Sequence, residues 1–305
     1  MPSRFLPLIA CLALPGALCA ADPIRVSTFS TVLTEVAQQV GGDRVVVTGH
    51  IKPGIDPHEF EPKPIDLKTV SQSQLVLLSA KHMEGYVNKL KEATGGKSRV
   101  VEVGDQFPSL KMKDDHDHAH AHGKGKDDDH DELVEDPHWW HSVANVKRAA
   151  KVVRDELAKI RPDDQAIFKK NADTYLASLD SLQSWVKTKV AELPRDRRKL
   201  VTSHDAFQYF AKENGFTIYA IEGVSSSDQP SSKKVAEIVA AIKAQNVKAV
   251  FPESIENPKV LTEITRETGA KIGGELYADG LGDDDAATYA GMVKHNVAAI
   301  VDALK

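Results

Sequence analysis

Apolar, β-branched runs bounded by turn residues recur along the first third of the chain: Ile24–Phe29, Arg44–Gly49, Leu75–Ser79 and Arg99–Val103. Between them, apolar residues return every three or four positions over Val32–Val40 and Glu84–Ala93. Short apolar runs alternating with helical periods predict βαβ units around a parallel sheet. The pattern restarts near residue 199. Strands are predicted at Lys199–Ser203, Phe216–Ile221, Val247–Pro252 and Ala270–Leu276, and helices at Phe207–Asn214, Lys233–Gln245, Pro258–Thr268 and Asp285–Leu304. The second half therefore copies the organisation of the first.

Two helical stretches separate the halves. One is predicted from Ala144 to Ile160, and the longer from Pro162 to Leu193, where Phe168, Ala172, Tyr175, Leu179, Leu182, Val186, Val190 and Leu193 trace one face. Pro162 suits the first helical position, Asp163 and Asp164 suit the positive helix end, and Pro194 stops the run. At 1.5 Å per residue the stretch would be roughly 48 Å long, enough for a strut between lobes. The expected fold is α/β: two Rossmann-like lobes with parallel sheets, residues 22–160 and 195–305, joined by a long rigid helix over 161–194.

The first 21 residues have a different character. Arg4 makes a short basic start, Phe5 to Cys19 are almost all apolar or small, and small residues follow near a cleavage point. The apolar run is short and broken by Pro and Gly, unlike a membrane span. A lipid anchor would need a cysteine just after the cleavage site, and neither Cys11 nor Cys19 fits that place well. A cleaved, exported, soluble protein is expected. Both cysteines lie in this leader, so the mature chain has no disulfide and no thiolate ligand.

Net charge is −5, yet residues 113–136 alone carry −7, which leaves the rest near +2. A nearly neutral body has no basic footprint for nucleic acid. The acidic stretch, DDHDHAHAHGKGKDDDHDE, also holds His116, His118, His120, His122 and His130. Alternating His and Asp with Gly and Lys cannot build a core, so 113–135 is expected to be a solvated, mobile loop inserted in the first lobe. Imidazole and carboxylate together suit zinc and copper.

Quieter residues share another context. His58 follows the second predicted strand, His138 the fourth strand and its insertion, His204 the first strand of the second lobe, and Asp279 the last. Carboxyl ends of strands are where open α/β sheets place ligands. Met across an interlobe cleft, three imidazoles and one carboxylate would suit tetrahedral zinc. His141, three residues after His138, ranks below it as a ligand, His82 is expected at the surface, and Trp139 and Trp140 in the core or cleft wall.

Pro57-His-Glu-Phe-Glu-Pro62, Asp136-Pro-His-Trp-Trp140, Ser203-His-Asp-Ala-Phe207 and Tyr277-Ala-Asp-Gly-Leu-Gly282 resemble the metal-ligand motifs of the cluster A-I solute-binding proteins of bacterial ABC importers for zinc and manganese. The resemblance spans essentially the whole mature chain, including the linking helix and the His-rich insertion of zinc-binding members. It implies His58, His138, His204 and Asp279 as ligands of Zn²⁺, with the loop histidines as auxiliary collectors. It also implies a periplasmic location and, as partner, an inner-membrane ABC permease; whether a periplasmic metallochaperone loads the site is left open by the sequence. Manganese-selective members carry a glutamate where His204 stands, so a manganese importer component is the alternative. A zinc-dependent hydrolase would need an open coordination position and a base, and no HExxH, nucleophile elbow or phosphate loop is present. A surface protein using the His-rich loop for metal-mediated adhesion is a third reading.

Overall fold

The computed structural model describes residues 22–113, 133–224, 230–254 and 259–305. Strand β1 (Ile24–Thr28) leads into helix α1 (Thr31–Gly41), where the Ser30 hydroxyl accepts the Leu33 N–H and so satisfies a free donor of the first turn. Then come β2 (Val45–Gly49), α2 (Pro64–Val70), β3 (Leu75–Leu78), α3 (Val87–Thr94) and β4 (Arg99–Glu102). The four strands form a parallel sheet in the order β2-β1-β3-β4. Every residue of β3 is buried, which is why this inner strand reads as an unbroken Leu-Val-Leu-Leu.

A hairpin of β5 (Lys111–Lys113) and β6 (Leu133–Glu135) follows, then α4 (Val143–Ile160) and α5 (Gln165–Val190). The second half comprises β7 (Lys199–Thr202), α6 (Gln208–Asn214), β8 (Thr217–Ala220), α7 (Ser232–Gln245), β9 (Ala249–Phe251), α8 (Lys259–Thr268), β10 (Lys271–Ile272) and α9 (Tyr289–Leu304). Its parallel sheet has the order β10-β9-β7-β8. In both sheets the first strand lies between the second and third, so both carry a topological switch point at their carboxyl edge.

One apolar core runs through both halves. It joins Val32, Leu33 and Val36 of α1, the inner face of α4, and Leu200, Phe251 and Leu276 beneath the second sheet. Helix α5 lays Phe168, Ala172, Tyr175, Leu179, Leu182, Val186 and Val190 into it and packs on α1, α4 and α9. Its 26 residues span roughly 39 Å, so it braces both lobes as the strut its periodicity predicts.

Several boundaries differ from expectation, each for a local reason. Pro162–Asp164 form a 3-10 turn and not the start of α5. The far end of α5 tightens at Val190, where Leu193 donates to the Val190 carbonyl just before Pro194. Helix α2, absent from the sequence expectation, is short and starts with Pro64, its Asp66 carboxylate taking the Lys63 N–H. The last strand is only two residues long. Gly273 then passes against the Phe251 ring, where a Cβ would lie 2.4 Å from it, and Leu276 pairs through a single bridge with Glu253, two residues beyond β9. The expected loop 113–135 is strand at both ends, in β5 and β6. Its histidines, His116, His118, His120, His122 and His130, lie outside the described residues, as do the leader 1–21 and most of the polar loop 223–230. Among the described residues no helix is long and apolar enough to cross a membrane.

Candidate metal centre

His58 stands on the long connection between β2 and α2. The two ends of that connection are tied together. His50, just after β2, stacks on Phe29 with ring centroids 4.5 Å apart and bonds Asp66 of α2 through Nδ1 at 3.0 Å. Its Nε2 reaches Ser27 Oγ of β1 at 3.1 Å. Within the loop, the His58 N–H is donated to Asp56 Oδ1 at 2.7 Å, which fixes the backbone at the site.

His138 is fully buried at the head of a 3-10 turn, Trp139–His141, whose two indoles are core residues. Asp136 Oδ1 accepts both the His138 N–H, at 2.9 Å, and its ring Nδ1–H, at 3.0 Å. His204 leaves the end of β7 equally buried. Glu253, two residues beyond β9, accepts the Ser203 N–H at 3.0 Å and the His204 N–H at 3.3 Å, and takes the His204 Nδ1–H with its other oxygen. Asp279 lies on the loop between β10 and α9. That loop is held from the other lobe: Thr31 Oγ1 of α1 accepts the Leu281 N–H at 2.8 Å, and Trp140 Nε1 donates to the Ala278 carbonyl at 2.8 Å.

These four side chains converge from four segments. His58 Nε2 is 3.2 Å from His138 Nε2 and 3.3 Å from Asp279 Oδ1. His138 and His204 Nε2 are 3.3 Å apart, and Asp279 Oδ1 lies 3.6 Å from the former and 3.4 Å from the latter. For His138 and His204 the carboxylate on Nδ1 holds a proton there, so Nε2 is the nitrogen that faces the centre and offers a lone pair once the ring is neutral. Asp279 Oδ2 is buried with no hydrogen-bond partner among the described residues.

Electrostatics in the metal-free cluster follow from this crowding. Burial pushes Asp279 up, but His204, His138 and His58 outweigh it and hold the carboxyl well below the usual range. Burial likewise pushes His204 down, yet Glu253 and Asp279 raise it well above an ordinary imidazole. His138 is raised by Asp136 and Asp279 against the same opposing burial. Without metal, this is a carboxylate neutralised by imidazoles that hold protons strongly.

All four residues singled out in the sequence are brought together, with one donor atom of each within 4.8 Å of the others. His82 is exposed, as expected, and His141 turns away from the cluster. His138 follows β4 and the insertion after it, as expected, but the ends of that insertion pair as the small hairpin β5–β6, so the strand just before the site belongs to the hairpin and not to the parallel sheet. Asp136 and Glu253 were missed as working residues. A signal existed for Asp136, since Asp-Pro-His occurs at both 56–58 and 136–138. None existed for Glu253, which reaches His204 only through sheet pairing of β7 with β9.

Residues 26–303 match the sequence model of the family described as zinc-uptake complex component A, periplasmic. The chain is 30% identical over 308 residues to the manganese-binding lipoprotein MntA of Halalkalibacterium halodurans, covering 97% of each. It is 31% identical over 294 residues to the zinc-binding protein TroA of Treponema pallidum, covering 93% of this chain and 90% of that one. The solved structure of the periplasmic zinc-binding protein TroA from Treponema pallidum superposes with a TM-score of 0.81 at 29% identity, covering 93% of this chain and 99% of that one.

Proposed function

The chain belongs to the zinc-uptake complex component A family of metal-binding substrate-binding proteins, which are not enzymes, and on that premise we propose that it captures Zn²⁺ in the periplasm and hands it to an inner-membrane ABC permease. In this reading the ligands are His58, His138, His204 and Asp279. The observation that carries it is the set of five donor separations between 3.2 and 3.6 Å. A tetrahedron of roughly 2.0 Å metal–ligand bonds has edges of about 3.3 Å, and the closeness of these separations to that length supports the reading. Four protein donors fill such a site and leave no position for a reactive water, as suits a carrier.

Zinc over manganese rests on donor softness. Three imidazoles favour zinc, whereas manganese is served better by carboxylate, carbonyl and water oxygens. The Asp136 and Glu253 carboxylates strengthen the preference by making two of the imidazoles more basic. A manganese role is the second reading, favoured by the 30% identity to a manganese-binding lipoprotein. An N/O site binds Zn²⁺ more tightly than Mn²⁺ on intrinsic affinity alone, so titration with each metal against a chromophoric chelator is read beside the metal that the protein carries from its native compartment. One tight zinc equivalent that excess manganese does not displace, and that His204→Ala abolishes, supports zinc. Manganese binding at equal or greater strength overturns it.

The His- and Asp-rich segment is assigned an auxiliary role, raising the local zinc concentration without building the tight site. Deleting residues 114–131 should then leave the single tight equivalent in place and remove only weaker ions. Loss of tight binding on deletion would transfer the main function to that segment. Loading by a metallochaperone is a separate matter: full occupancy taken at speed from free zinc would show that none is required.

A further inference from the structure

His141, the last residue of the Trp-Trp-His turn, makes contacts that its position outside the cluster does not suggest. It is buried at 8% exposure. Its Nε2 lies 2.7 Å from the carbonyl oxygen of Ala278, the residue before Asp279. The same oxygen accepts Trp140 Nε1, so two N–H donors saturate it and fix the plane of the peptide that leads into Asp279. The ring of His141 packs on Phe207, with centroids 4.3 Å apart and 35° between planes. Phe207 is three residues after His204, and His141 is three residues after His138, bonded back to it through His141 N–H to His138 O at 3.2 Å. The His141 side chain thus touches the immediate supports of Asp279 and His204, while its backbone is bonded to His138 itself.

Apolar filling alone does not need an imidazole here. Phenylalanine would occupy the same space against Phe207 and leave the Ala278 oxygen with one donor. Nor does the ring need a charge: a carbonyl oxygen only accepts, so a neutral imidazole with its proton on Nε2 makes the bond to Ala278. Tyr289 extends the same joint, its hydroxyl donating to the Trp140 carbonyl at 2.7 Å.

We propose that His141 is a positioning residue that locks the segments bearing His138, His204 and Asp279 into one arrangement and thereby slows release of the bound metal. The proposal rests on the reading of those residues as ligands. It assigns His141 no place in the coordination sphere, and it makes the Asp279 loop the part that loosens when His141 is changed.

The test compares wild type, His141→Phe and His141→Gln. Zinc release is timed by transfer to a chelator, and amide hydrogen exchange is followed at residues 277–282 in the metal-free protein. Partners that orient metal ligands commonly carry 10- to 100-fold in metal affinity, so His141→Phe should release zinc about tenfold faster or more. Protection at 277–282 should fall with it. His141→Gln, which retains an N–H donor of similar reach, should recover most of both effects. In an Asp279→Asn background, His141→Phe should add little to the release rate, because the residue through which it acts is already altered. Release at the wild-type rate with unchanged protection overturns the proposal, as does an equal acceleration in both backgrounds. Should His141→Phe fail to fold, Phe207→Leu removes the ring contact instead, and wild-type release from that variant likewise overturns it. If the wild-type chain holds no zinc, the ligand reading fails, while hydrogen exchange in the metal-free protein still decides whether His141 holds the loop.

Discussion

At the scale of single residues, two carboxylates prepare two imidazoles for metal, but they do so differently. Glu253 uses both oxygens: one takes the Ser203 and His204 backbone N–H groups, the other the His204 Nδ1–H. An amide in its place must turn its NH₂ toward one of those donors. If it faces Nδ1, the imidazole proton moves to Nε2, where it blocks the metal. Glu253→Gln should therefore weaken zinc binding by about 10- to 100-fold, as read by chelator competition. Asp136 uses only Oδ1 for both of its bonds, and its Oδ2 is unpartnered among the described residues. Asparagine can keep its oxygen at that position, so Asp136→Asn should cost clearly less than Glu253→Gln. An equal or reversed order would contradict this account of how the tautomers are set. The four cluster residues were legible in the sequence because each follows a strand or turn signal. Glu253 was not, since nothing local links it to a histidine 49 positions away.

At the scale of elements, long periodic segments such as α4 and α5 were legible because one face is buried along most of their length. What escaped prediction was short or set by distant contacts. The strands β5 and β6 have three residues each and pair across 19 intervening positions, too little pattern to read as a hairpin. β10 stops after two residues because the following Gly273 must pass the Phe251 ring, a tertiary constraint that propensity does not contain. The Asp279 loop depends on a comparable close approach. A Cβ at Gly280 would lie 2.4 Å from Thr31 Oγ1, the group that accepts the Leu281 N–H. Gly280→Ala should push the loop off α1, lowering stability by about 1–3 kcal/mol in chemical denaturation and weakening zinc binding as well. Wild-type stability and affinity in this variant would show that the loop is not seated on α1 as described.

At the scale of the whole molecule, one apolar core and the α5 strut span both lobes, which leaves little freedom for a wide hinge. Solution scattering should show no large compaction on adding zinc; a large one would mean that the lobes are held more loosely than this packing allows. Proton linkage gives a second global test. In the metal-free protein, the stabilisation from the raised His138 and His204 is complete below about pH 6.5 and is lost as pH rises through their raised values. That from the depressed Asp279 is present above about pH 3.8 and is lost only as pH falls through its lowered value. Zinc must displace the imidazole protons, so its binding strengthens as pH rises. The zinc-induced gain in melting temperature should thus grow from about pH 5.5 to about pH 8. A gain that is flat across this range would argue against a three-imidazole site. Metal analysis of the protein purified from its native compartment, beside His204→Ala, decides whether the four-residue cluster is a zinc site. One equivalent of zinc is expected in the first and none in the second; manganese in the native protein, or zinc retained by the variant, would mean that it is not.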